Sequence, residues 1–189
     1  MTALGMLLKD FARAFYAPQA LYTELRDGRR SPSWVCVLVY CLVYMVGTVW
    51  LYVHGFLPFT PPWITLDPKL YYLVETFYLT PLIFLMWILG AGTIHVLSKL
   101  FGSRGSFEVT LRMTGYSLWA PWYPLIVMDV IQTAPDWLYN TVVAACMLVI
   151  LIGTTVAVHI EHKITVSAAL VVSFLSFGSV AVILFTYIR

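Results

Sequence analysis

The sequence predicts an all-α, polytopic membrane helix bundle, and three observations carry that prediction. Of 189 residues, 61% are hydrophobic and only 11% charged, against about a quarter charged in a soluble domain. Five apolar stretches, 33–57, 70–100, 111–133, 138–160 and 164–188, each reach the roughly 20 residues that cross a hydrocarbon core. None reads as alternating ten-residue strands, so helices rather than a closed barrel must satisfy the backbone in lipid. The expected organisation is a five-span membrane domain, 33–189, preceded by a cytoplasmic segment, 1–32.

In that first segment Leu4, Leu7, Leu8, Phe11 and Phe15 recur at helical spacing, with Lys9, Asp10 and Arg13 elsewhere on the wheel. The pattern predicts an amphipathic helix for the cytoplasmic interface, a face that a partner protein could also use. The same three charged residues interrupt the apolar run that a signal peptide requires, so the segment is expected to stay attached. Pro18 suits the first position of a second short helix, 18–27, which Gly28 ends.

Orientation follows from the basic residues. Lys9, Arg13, Arg26, Arg29, Arg30, Lys99, Arg104, Arg112 and Lys163 fall on the N-terminal side of the spans, and Lys69 and Arg189 on the other. Nine against two places the N-terminus in the cytoplasm and the C-terminus outside. The net charge of +2 is then an address on the inner surface, and no basic cluster with interleaved aromatics suggests nucleic acid.

The spans carry further detail. Cys36, Cys41 and Cys146 lie in apolar runs without CxxC spacing and are expected to pack as small hydrophobes, with palmitoylation of Cys36 the other use. The loop LPFTPPWITLDP, 57–68, is expected to be extended, with Trp50, Tyr52, Trp63, Tyr71 and Tyr72 forming an aromatic belt. Pro81 should kink the second span, and Gly90-Ala91-Gly92 should admit a close helix neighbour. Small residues such as Ala144, Gly153, Ala169, Ser173 and Gly178 suit helix contacts in the last two spans, within the chain or in a homo-oligomer.

The stretch FGSRGSFEVTLRMTGYSLWAPWYPLIVMD, 101–129, departs from the apolar pattern. Its glycines predict a cytoplasmic turn, after which Ser106 caps a helix and Glu108 sits near the positive helix end. FEVTLRMTGYSL is too polar to cross lipid, and Glu108, Thr110, Arg112 and Thr114 are expected to keep it at the interface, with Phe107, Leu111 and Leu118 toward the bilayer or the bundle. Pro121 and Pro124 then predict a third span that is broken or kinked, and non-helical backbone at that depth must be shielded or wet.

GSRGSFEVTLRMTGYSLWAP resembles the signature of the Yip-domain family, integral membrane proteins that interact with Ypt/Rab GTPases. The matching positions are Gly102, Gly105, Ser106, Phe107, Leu111, Gly115, Tyr116, Ser117 and Pro121. Phe15 to Leu25 is similar to the family's Phe-x-x-Pro entry, and the end of the second span around His95 is similar to prokaryotic members. The resemblance implies five spans and a cytoplasmic N-terminus. In eukaryotic members it implies binding of a small GTPase and membrane traffic between endoplasmic reticulum and Golgi. With no long cytosolic N-terminal region and no Asp-Leu-x-Gly-Pro pattern before the first span, the chain looks like the compact prokaryotic branch, in a cytoplasmic membrane.

Two polar constellations remain. His54, Glu75 and Asp129 come out at similar depth below the outer interface and could together hold a cation or relay a proton. His95, His159 and His162 lie near the inner ends of the second and fourth spans, where a metal could use them, although a short polar turn has the same composition. No HExxH, GxSxG or phosphate loop occurs. No catalytic or cofactor residue is therefore expected. The reading is a non-catalytic scaffold or adaptor that binds other membrane or membrane-associated proteins. Its alternative is a small transporter or channel using the broken third span with Glu75 and Asp129.

Overall fold

The structure, a computed structural model, describes residues 3–28, 33–58, 67–124 and 135–187, and leaves the side chains of 3, 4, 136 and 180–187 outside the description. Every regular element among these residues is helical: α1 (Ala3–Tyr16), α2 (Pro18–Arg26), α3 (Ser33–Val53), α4 (Tyr71–Leu100), α5 (Phe107–Ser117), α6 (Asp136–His162) and α7 (Val166–Tyr187), with short 3-10 turns at Pro68–Leu70 and Ala120–Trp122. Three of the described helices, α3, α4 with its leading turn, and α6, are long and apolar enough to cross a membrane. Within α7, Val166–Ser179 is a shorter apolar helix over the residues searched.

The long helices form the frame. α3 packs on α4, α4 on α7, and α7 on α6. α4 continues as helix through Pro81, and its small-residue stretch is used as expected: Ser176 of α7 donates to the Gly90 carbonyl at 3.1 Å. Toward the other end, α3 and α4 are joined by Thr48 and Thr76, hydroxyl to hydroxyl at 2.9 Å. Each hydroxyl also meets a carbonyl of its own helix, Thr48 that of Met45 at 3.0 Å and Thr76 that of Tyr72 at 2.8 Å. Cys36, Cys41 and Cys146 are free and buried, as small hydrophobes are.

α5 stands inside this frame rather than on its surface. Eleven residues span only about 16 Å at 1.5 Å per residue, too short to cross a bilayer alone. Its buried residues are Thr110, Met113, Thr114, Gly115, Tyr116 and Ser117, and it touches α2, α3, α4 and α6. The sequence predicted an interfacial helix because of Glu108, Arg112 and the hydroxyls of Thr110 and Thr114. Buried partners satisfy the hydroxyls instead: Trp87 Nε1 donates to the Leu111 carbonyl at 2.9 Å and to Thr114 Oγ1 at 3.1 Å, and Thr154 donates to Ser117 Oγ at 3.2 Å. Leu118 goes to the core beside Trp119, Tyr40 and Ile150, whereas Phe107 stays 40% exposed.

α2 is equally embedded. Leu21, Tyr22 and Leu25 are fully buried against α5 and α6, among Met113, Tyr116, Ala157 and Ile160. Burial pushes the Tyr22 phenol above its ordinary pKa. α1 differs from the expected wheel. Leu7 and Phe11 turn inward, but so do Asp10 and Arg13, while Leu8, Phe15 and Tyr16 are exposed. The reason is electrostatic: Arg13 meets both Glu24 oxygens of α2 at 2.9 and 2.5 Å and Asp10 at 4.0 Å. This bidentate pairing holds the guanidinium even more firmly protonated than usual, chiefly through its hydrogen bonds to Glu24.

Candidate functional site: a clasp at the ends of α4 and α6

Three helix ends, those of α4 and α6 and the start of α5, meet where the α4–α5 turn touches α6. α4 stops in a Schellman arrangement: Gly102 N–H bonds the Lys99 carbonyl at 3.0 Å and Ser103 N–H reaches the Ser98 carbonyl at 3.3 Å. Gly102 takes φ +77, a left-handed conformation that a side chain would strain. Lys99 Nζ reaches on to the carbonyls of Ser103 and Gly105 at 3.3 and 3.2 Å.

Ser106 then caps α5, accepting from Val109 N–H at 3.2 Å. In a capping box the third helical residue is an acid that returns to the cap's own N–H. Here that residue is Val109, and the acid comes from another helix: Glu161 of α6 accepts from Ser106 N–H at 2.6 Å. The carboxylate therefore also lies at the positive end of α5.

His162 closes the clasp. Its Nδ1 lies 2.6 Å from Ser103 Oγ and its Nε2 lies 3.0 Å from Thr110 Oγ1. Thr110 donates its hydroxyl proton to the Ser106 carbonyl at 2.8 Å, so it can only accept from Nε2–H. Nδ1 of the neutral ring is then bare and accepts from Ser103, whose oxygen takes Gly105 N–H at 3.0 Å. The chain of donors is complete from Gly105 through Ser103, His162 and Thr110 to Ser106. The space among Thr110, Met113, Thr114, Ala157, Val158, Glu161 and His162 leaves no room for a water molecule.

The family-like positions are the parts of this device and of its seat. A β-carbon on Gly105 would stand 2.5 Å from His162 Nδ1 and 3.1 Å from the Glu161 carbonyl. One on Gly115 would stand 2.9 Å from Ser33 Cβ, where α5 crosses the start of α3. Tyr116 is fully buried, Ser117 accepts from Thr154, and Leu111 offers its carbonyl to Trp87. Phe107 lies edge-on to His95, ring centres 6.0 Å apart. Pro121 is buried in the 3-10 turn that follows α5. The remainder of the expected third span, with Asp129, lies outside the described residues.

The histidine trio separates. His95 and His162 approach to 5.8 Å between ring centres, but His159 is exposed and gives Nδ1 to the Ile164 carbonyl at 2.7 Å. Because a carbonyl only accepts, His159 carries its proton on Nδ1, the opposite tautomer to His162. Both nitrogens of His162 are engaged, and no group of three His, Cys, Asp or Glu among the described residues is placed to hold a metal. His54 is exposed, bonded to the Trp50 carbonyl at 2.8 Å and lying on the Trp50 ring. Glu75 is buried, at 2% exposure, close to Tyr71 and Tyr78.

The fold and site define an integral membrane protein of apolar helices whose inner hydroxyl-rich helix is locked at its start by the α4–α5 turn and the end of α6. The family model for the Yip1 domain matches residues 12–188, and the chain belongs to the Yip1-domain family. No curated protein and no solved structure matches it.

Sequence reasoning missed the role of Glu161 and assigned His162 to a possible metal. The signal was present in the cap: a Ser at 106 with no acid at 109 leaves its N–H without a local partner.

Proposed function

We propose that the protein is a non-catalytic scaffold or adaptor that docks other membrane or membrane-associated proteins on the surface presented by the 102–107 turn. The observation that supports this is the use made of the family signature. Its residues are spent on fixing the shape of one end of the bundle, through the Gly105–His162 contact and the Ser106–Glu161 cap, while Arg104 and Phe107 at that end are exposed. In this reading the chain has five spans, with segment 1–32 and the 102–107 turn on the cytoplasmic side and the third span broken around Pro121 and Pro124. The charge count supports that orientation. A small GTPase is a partner only if the membrane is a eukaryotic one.

Co-purification from native membranes tests the proposal, comparing wild type with Arg104→Glu and Gly105→Ala. Arg104→Glu changes only an exposed side chain, so it should lose partners at unchanged stability. A full partner set in both variants would sink the scaffold.

Glu75 supports a second reading, since ionisable groups inside a membrane mark transport paths. That reading requires solute or ion flux in proteoliposomes that Glu75→Gln abolishes, and tight, inert vesicles across a broad panel would remove it.

A further inference from the structure

α1 carries an unpartnered face whose surroundings are defined by its neighbours. Leu8, Lys9, Ala12, Phe15 and Tyr16 are exposed, at i, i+1, i+4, i+7 and i+8, one side of the helix. Leu8, Phe15 and Tyr16 are 60%, 43% and 72% exposed. Of the charged residues of α1, Asp10 and Arg13 are turned the other way, Arg13 into its pair with Glu24, and Lys9 alone remains on the exposed side.

The height of α1 on the bundle is fixed by a chain of contacts. The Phe11 ring meets Tyr123 edge-on at 5.2 Å, and the Tyr123 hydroxyl donates to the Cys36 carbonyl at 2.9 Å. Cys36 lies in the first turn of α3, a helix long and apolar enough to span the membrane. α1 also touches α3 itself and the Ala120–Trp122 turn. Its middle is thus level with the first turn of a span, where Trp34 of α3 is 55% exposed.

We propose that α1 lies in the headgroup boundary of the leaflet at the N-terminal end of α3, with Leu8, Phe15 and Tyr16 in lipid and the Arg13–Glu24 pair holding that face outward. An in-plane helix buries its apolar side by about 5–10 Å. Lys9, at the edge of the stripe, extends its ammonium toward the phosphates while its stem stays with the apolar side chains. Tyr16 has the apolar body and polar tip found at such boundaries.

The test is a nitroxide placed on Leu8→Cys or Phe15→Cys in the full chain, reconstituted in phosphatidylcholine–phosphatidylglycerol vesicles. The native cysteines are buried, and unlabelled parent protein provides the background. Accessibility to oxygen and to a water-soluble nickel complex is compared with a label on Arg104→Cys in the exposed turn. The expected result is a several-fold excess of oxygen over nickel accessibility at 8 and 15, relative to 104, and a depth just below the phosphates. Nickel accessibility equal to that at 104 would mean that the face is in water and would overturn the proposal. Low accessibility to both reagents would mean that a second copy covers the face, and would overturn it equally.

Discussion

Gly105 and His162, 57 positions apart in the chain, touch so closely that a β-carbon on residue 105 would stand 2.5 Å from His162 Nδ1. The neighbour is a side chain locked by two hydrogen bonds, so it cannot yield cheaply. Gly105→Ala should destabilise the protein by ~1–3 kcal/mol, the usual cost of overpacking. In thermal unfolding in detergent, Gly105→Ala combined with His162→Ala should lose less than the two single losses added together. Simple additivity would show that the contact is not the cause.

Glu161 acts through one acceptor oxygen. Glu161→Gln keeps an acceptor for Ser106 N–H and should cost little, whereas Glu161→Ala should cost ~1–2 kcal/mol, as loss of a helix cap does. Hydrogen exchange reports it locally: the Ser106 amide should exchange much faster in the alanine variant and nearly normally in the glutamine one.

The two histidines at the end of α6 should differ in tautomer. Nitrogen NMR of labelled histidine should find His162 protonated on Nε2 and His159 on Nδ1, from the partners each ring meets. Ser103→Ala removes the donor to His162 Nδ1 and should shift that resonance alone. The same tautomer at both sites would contradict the donor chain.

Lys163 ends α6 with φ 52, the one non-glycine residue with positive φ among those described. A side chain in the left-handed region costs ~1–2 kcal/mol, and the bonds of Glu161 and His162 on one side and His159 to Ile164 on the other hold it there. Lys163→Gly should therefore raise stability by roughly 0.5–1 kcal/mol after its own entropy loss, measurable as a higher melting temperature.

Much of this architecture is legible in the residues. Helix ends follow local chemistry: Pro18 starts α2, Gly28 follows it at φ +98, and Ser106 caps α5. Long apolar runs announce α3, α4 and α6 because length and composition alone decide them. What stays hidden is which way polar residues turn. Thr110, Thr114 and Ser117 look interfacial in sequence because their partners, His162, Trp87 and Thr154, are 27 to 52 positions away. Arg13 looks solvent-facing for the same reason, its partner Glu24 lying on the next helix. The signature glycines are recognisable as motif, but the need for them arises only where His162 and Ser33 approach.

The most direct measurement is site-specific photo-crosslinking in native membranes, with a benzophenone amino acid at Arg104 and, separately, at Phe174. Arg104 is exposed in the turn that the clasp fixes, and Phe174 lines an apolar groove of ≈ 330 Å³ with Leu151, Leu170, Val171 and Leu175. If the clasped turn is a docking surface, position 104 gives discrete protein adducts that position 174 does not. No protein adduct at 104, or the same adducts from both positions, would contradict it.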